Sequence, residues 1–177
     1  YAEIAPSFTF YSHYFGSMED TLRVLVDSAS IAEKETGVLI NYIVSVERHL
    51  GEDAAVKLAH LARKGADDME INGRPAVIGF GLHGPEESHP PETFREAFDV
   101  ACGDGKLASL PHAGEIAPSP GMGANSVFAA VQTLNAKRIA HGVLAKDDAE
   151  AIRALKERDV VLDMGITSNY LLNVVES

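Results

Sequence analysis

Apolar positions along the 177-residue chain follow two alternating rhythms. Short stretches of alternating or continuous β-branched character take turns with longer ones in which apolar residues recur every three or four positions. Tyr1 to Phe8 alternates as a strand does. From Met18 to Thr36, Leu22, Leu25, Val26, Ala29 and Ala32 form a helical stripe, closed by Gly37 in the manner of a C-cap. Val38 to Ser45 is β-branched and long enough for a buried strand. Glu52 to Lys64 predicts a helix with Ala55, Leu58, Ala59 and Ala62 inward, ended by Gly65. Ala76 to Leu82 predicts a third strand. Pro90-Pro91 then opens a helix to about Cys102, with Phe94, Ala97 and Phe98 on its inner face.

The second half keeps the beat. Leu107 to Pro111 predicts a strand, Asn125 to Leu134 a helix, and Arg138 to Ala140 a short strand that ends in His141-Gly142. Asp147-Asp148 starts a helix whose apolar face is Ala151, Ile152 and Leu155. Val160 to Met164 is the last strand, followed by Thr167-Ser168-Asn169. The pattern yields six strands and five intervening helices in one domain over 1–177, with no linker or low-complexity tract. Such alternation means a parallel sheet, either doubly wound or closed as a barrel. Polar or glycine-rich groups follow almost every strand: Glu47-Arg48-His49, His83-Gly84-Pro85-Glu86, His112 to Glu115, His141-Gly142 and Thr167-Ser168-Asn169. A barrel would gather all of them on one face, whereas an open sheet joins only those near its switch point. No glycine-rich phosphate loop follows the first strand, which also favours the barrel.

Composition narrows the chemistry. A net charge of −11 without a basic cluster argues against a nucleic-acid or anionic-membrane surface. No apolar run is long enough to span a membrane, and Tyr1-Ala-Glu-Ile is no signal peptide, so a cytoplasmic enzyme or binding domain fits best. The single Cys102 excludes a disulfide framework and any Cys-x-x-Cys zinc site. It equally excludes a cytidine-deaminase-like enzyme, whose signature needs Pro-Cys-x-x-Cys.

The chain is organised around Ser109-Leu-Pro-His-Ala-Gly-Glu115, a strand that stops in an imidazole and turns through glycine to a carboxylate. His112-Ala-Gly-Glu115, followed 26 residues later by His141 in Arg138-Ile-Ala-His141-Gly142, resembles the adenosine deaminase family of zinc-dependent hydrolases. Gly81-Leu-His-Gly84-Pro-Glu86 is similar to the loop after that family's fourth strand, and Thr167-Ser-Asn169 to the loop after its seventh. Many members have Asp where Gly81 stands; the sequence here looks closer to bacterial adenosine-like and aminodeoxyfutalosine-type deaminases than to the animal enzymes.

The resemblance implies a (β/α)8 TIM-type barrel of which about six strands are present. It implies zinc as cofactor and a purine nucleoside or base as substrate, and leaves the oligomeric state open. His112 would be a metal ligand, Glu115 the proton donor to ring N1, and His141 the group beside the attacking water. Gly84 would donate its N–H to ring N3. His83 and Glu86 would line the entrance and His49 would cap the rim, while His13, His60 and His89 read as surface residues and Cys102 as a small buried one. The expected reaction is deamination of adenosine or deoxyadenosine, with aminodeoxyfutalosine or adenine as the alternative substrate. The family's first-strand His-x-His and eighth-strand Asp-Asp are missing, since Asp67-Asp68 and Asp147-Asp148 lie in helical context. One zinc ligand is too few for a catalytic site. The chain therefore reads as the middle of a longer enzyme, or else as a non-catalytic barrel fragment.

Overall fold

Six strands pair side by side, all parallel, in the order in which the chain makes them. The computed structural model describes residues 1–117 and 119–174. Strand β1 (Ala2–Ile4) leads into helices α1 (Phe8–Phe15) and α2 (Met18–Thr36), then β2 (Ile40–Glu47) and α3 (Gly51–Asp68). A small hairpin of β3 (Glu70–Ile71) and β4 (Arg74–Pro75) precedes β5 (Val77–His83), and α4 (Arg95–Cys102) follows a 3-10 turn at Pro91–Phe94. The second half runs β6 (Ala108–Ala113), α5 (Met122–Thr133), β7 (Arg138–His141), α6 (Ala149–Glu157), β8 (Val161–Asp163) and α7 (Ile166–Leu171). The sheet order β1-β2-β5-β6-β7-β8 never reverses, which is the wall of an incomplete TIM-type barrel and not a doubly wound sheet. Among the described residues, no helix is long and apolar enough to cross a membrane.

Local departures from the sequence pattern have local causes. The first strand stops at Ile4 rather than Phe8, because Pro6 has no N–H for a ladder and the Ser7 hydroxyl caps α1 by accepting from Phe10 N–H. Gly65 does not end α3, which continues to Asp68. It is there for packing: a Cβ at that position would lie 2.5 Å from Val77 Cγ2 and 2.8 Å from Leu22 Cδ2. The β3–β4 hairpin, absent from the expected elements, turns on Asn72-Gly73, both with positive φ. Thr167-Ser168-Asn169 forms part of α7 and is not a loop.

The core sits between the sheet and its outer helices. Tyr42, Val44 and Val46 of β2 and Phe80 and Leu82 of β5 face it, meeting Leu22 and Val26 of α2, Leu58 and Ala62 of α3 and Phe98 of α4. A second cluster joins Ala113, Ile139, Val127, Ala130, Ala151 and Leu155. The period of two along each strand turns the alternate residues, among them Asn41, Ser45, Glu47, Gly79, Gly81 and His83, to the opposite, inner face. There Arg138 of β7 reaches Glu3 of β1, with Nη1–Oε1 3.1 Å and Nη2–Oε2 2.6 Å, while its Nε donates to Asp163 at 2.9 Å. In a flat sheet these two strands, four spacings apart, would be roughly 19 Å from one another. Their contact shows how far the sheet curls. The Arg138 hydrogen bond holds the Glu3 carboxyl below its ordinary pKa.

At the opposite end of the barrel from the strand termini, Glu33 of α2 pins the hairpin. Its carboxylate accepts from Ile40 N–H at 2.6 Å, from Asn72 Nδ2 at 2.9 Å and from Arg74. The Ile40 amide, the Asn72 amide and then the Arg74 charge hold its pKa at about 2, against an ordinary 4.5. A depressed carboxyl stabilises the fold above the unfolded-state value and loses that contribution as pH falls toward the folded one. Replacing Glu33 with Gln should therefore lower the melting temperature at neutral pH. That deficit should shrink steadily as pH drops from 4.5 toward 2; a deficit independent of pH in this window would contradict the assignment.

Candidate active site

Because every strand of the sheet runs the same way, their C-terminal ends share one rim. Glu47 ends β2, His83 ends β5, His112 lies near the end of β6, and His141 ends β7. The three imidazoles form a row, with ring centroids 6.1 Å apart from His83 to His112 and 5.4 Å from His112 to His141. His141 Nε2 lies 3.3 Å from Glu115 Oε1. Of the four residues to which the resemblance gives a part in the chemistry, His112, Glu115 and His141 are thus brought together, and Gly84 directly follows His83 on the neighbouring loop.

The histidines are held differently. His141 has φ 69° and Gly142 φ 67°, so two left-handed residues in succession end β7. For a residue with a side chain that conformation costs about 1–3 kcal/mol and persists only where the surroundings enforce it. Here Asn169 Oδ1 accepts from His141 Nδ1 at 2.7 Å, and Asn169 is itself buried, with 1% exposure. With a proton on Nδ1 engaged by Asn169, the ring turns Nε2 toward the Glu115 carboxyl. His112 Nδ1 is buried without a hydrogen-bond partner among the described residues. Burial, followed by the neighbouring His141 and His83, pushes its pKa down to about 4, which keeps the ring neutral near pH 7.

A neutral, buried imidazole with an unpartnered nitrogen fits a metal ligand. It fits one ligand only: no group of three or more His, Cys, Asp and Glu suited to a metal occurs among the described residues. His83 is a different case. Its Nε2 is 4.0 Å from Glu47 Oε1, and burial lowers its pKa against the pull of Glu47. Burial alone would raise the Glu47 pKa, but hydroxyl donation from Ser7 at 2.6 Å and Thr9 at 2.9 Å outweighs it and holds the carboxyl below its ordinary value.

Two other residues turn their charges to backbone, one of them against expectation. Glu86 does not line an entrance: it is 7% exposed, and its carboxylate oxygens accept from the backbone amides of Gly114, Glu115 and Ile116. Arg48 is fully buried and donates to the carbonyls of His112, at 2.8 Å, and His89. The only sequence signal for Arg48 is a cation directly after an apolar strand, and its neighbour His49 is exposed. His13 and His60 are exposed as expected and His89 is half-buried. Cys102 is half-buried too, and burial raises its thiol to about 12. At Gly81 a Cβ would lie 2.2 Å from Ser45 Oγ, so a serine on the adjacent strand fills the space a side chain would need.

Comparison with known proteins gives a family model described as adenosine deaminase that matches residues 1–177. An adenine deaminase from Chelativorans sp. is 32% identical over 97% of this chain and 52% of its own length. The crystal structure of an adenine deaminase from Arthrobacter aurescens superimposes with a TM-score of 0.80 at 25% identity, over 99% of this chain and 50% of that one. A zinc-bound amidohydrolase from Burkholderia ambifaria gives 0.73 at 26% identity, over 89% and 40%. The chain spans about half the length of the curated relatives it matches.

The turn between His112 and Glu115 needs its glycine. Gly114 has φ 63°, and a Cβ there would lie 2.6 Å from Val127 Cγ2 and 3.2 Å from the Gly123 carbonyl. Gly114→Ala should therefore destabilise the fold by about 2 kcal/mol, combining the left-handed penalty with the clash. Chemical denaturation of the variant against wild type checks this, and a loss below experimental error would refute the stated geometry.

Proposed function

Since the chain belongs to the adenosine deaminase family, we propose that it forms the middle of a zinc-dependent barrel that hydrolyses the 6-amino group of adenosine or deoxyadenosine, releasing ammonia. Free adenine is the second reading, favoured by the names of the relatives from Chelativorans and Arthrobacter. In this reading residues 1–177 are the central portion, and the remaining strands and metal ligands come from elsewhere in a longer protein. The observation that carries the proposal is the His141–Glu115 contact at 3.3 Å beside a neutral His112.

Each residue then has a chemical task. His112 is a metal ligand, supplied in the neutral form that coordination requires. A zinc ion bound there supplies water acidified to near neutrality and a Lewis acid; the zinc of the Burkholderia amidohydrolase supports that choice of metal. Glu115 hands a proton to ring N1, so that nitrogen becomes an amine-like position and C6 an electrophile. His141, oriented by Asn169, accepts a hydrogen bond from the attacking water and stabilises the charge that develops as C6 becomes tetrahedral. The Gly84 N–H aligns the purine through N3, where the absence of a Cβ lets the ring approach the backbone.

In the complete protein, Glu115→Gln keeps the shape of the side chain but has no proton to give. Turnover should fall by about 10²–10⁴-fold while zinc stays bound. His112→Ala should instead lose the metal, read by elemental analysis. Ammonia release from adenosine, 2′-deoxyadenosine, adenine and aminodeoxyfutalosine identifies the substrate. Zinc-loaded protein inert toward all four, or unchanged turnover in Glu115→Gln, would defeat the proposal and favour a non-catalytic barrel.

A further inference from the structure

We propose that Glu86, backed by Arg48, is a positioning residue for Glu115: it holds the amides of the loop that carries the proton donor and so sets where that carboxyl points. The inference rests on the role given to Glu115 above.

The loop after β6 is gripped from both sides. Upstream, Arg48 donates to the His112 carbonyl at 2.8 Å. Downstream, Glu86 Oε2 accepts from Gly114 N–H at 2.9 Å, and Oε1 accepts from Glu115 N–H at 2.9 Å and Ile116 N–H at 3.4 Å. Among the described residues no backbone carbonyl accepts from these three amides. Both charged groups belong to neighbouring strand-end loops, Arg48 after β2 and Glu86 after β5. No ion pair within 4.0 Å joins them to each other, so each directs its hydrogen bonds to backbone. Successive amides facing one carboxylate make an anion cradle in reverse, with the protein supplying both partners.

The loop needs such a hold. Gly114, at φ 63°, has a wide choice of backbone conformations of its own. What fixes the Cα–Cβ direction of Glu115 is the pair of amides on either side of the Gly114–Glu115 step, and both end on Glu86. A donor displaced by about 1 Å loses on the order of 10²-fold in rate. Glutamine cannot replace Glu86, because both carboxylate oxygens are in use and an amide has one acceptor and one donor. One of its groups would face a backbone N–H with an N–H of its own.

The test uses the complete enzyme. Glu86→Gln should lower kcat by about 10²-fold and leave KM nearly unchanged. In a Glu115→Gln background the same change should add no further loss, because it acts through Glu115; a purely structural role would add in full. Amide hydrogen exchange over Gly114–Ile116, measured with and without metal, should accelerate in Glu86→Gln. Full additivity of the two substitutions, or unchanged exchange in that segment, overturns the proposal. If Glu86→Gln does not fold, wild-type exchange decides it: protection of these amides comparable to β6 supports the clamp, and free-peptide rates refute it. Unchanged turnover in Glu115→Gln would instead remove the deaminase reading, with the exchange measurement still judging the clamp.

Discussion

Everything in this molecule depends on the curl of one parallel sheet. A flat parallel sheet of six strands would spread its C-terminal ends along a line about 24 Å long, too far for a single small molecule to touch more than two or three. The curl turns that line into an arc. Its measure is Arg138, which spans from β7 to Glu3 on β1 and holds Asp163 of β8 with the same guanidinium. On the outer, convex face Leu58 and Phe98 of the helices pack against Phe80 of the sheet. The interior answers with charges that can reach one another only when the sheet is bent.

Charge in that interior is matched to backbone as much as to opposite charge. Removing Arg48 and Glu86 from water is costly unless their hydrogen-bonding capacity is met. Two Arg48 nitrogens meet carbonyls, at the end of β6 and at His89, and Glu86 meets three amides of the loop after β6, while Arg48 Nε has no partner among the described residues. The two residues therefore do for strand-end loops what neighbouring strands do for one another. These bonds tie together the rim on which His112, Glu115 and His141 lie.

Much of this was legible in the residues themselves. The helix over Met18–Thr36 was read from its apolar stripe and ends where expected, and all six sheet strands were found to within a few residues. The reading failed where local chemistry competed with periodicity. Tyr1 to Phe8 reads as one strand, but Pro6 and Ser7 end it early and turn the chain into α1. Gly65 looks like a stop signal, but α3 passes through it because glycine there answers to Leu22 and Val77 in other elements. That His112, Glu115 and His141 share one rim was legible because all three lie at or just past the ends of strands, and strand ends can be recognised from sequence.

What the sequence determined by itself was thus the order of elements and the chemical nature of each strand end, since both arise from short-range periodicity and turn chemistry. Tertiary structure alone decided the partners. Glu86 reads as one more polar loop residue, yet it lies 28 positions from Gly114 and bonds its amide. Arg48 bonds a carbonyl 64 residues away. Asn169, expected in a loop, orients His141 from a short helix. Hydrogen bonds of this kind leave no period in the chain, because a side chain that satisfies distant backbone is chosen by the space around it and not by its neighbours in sequence.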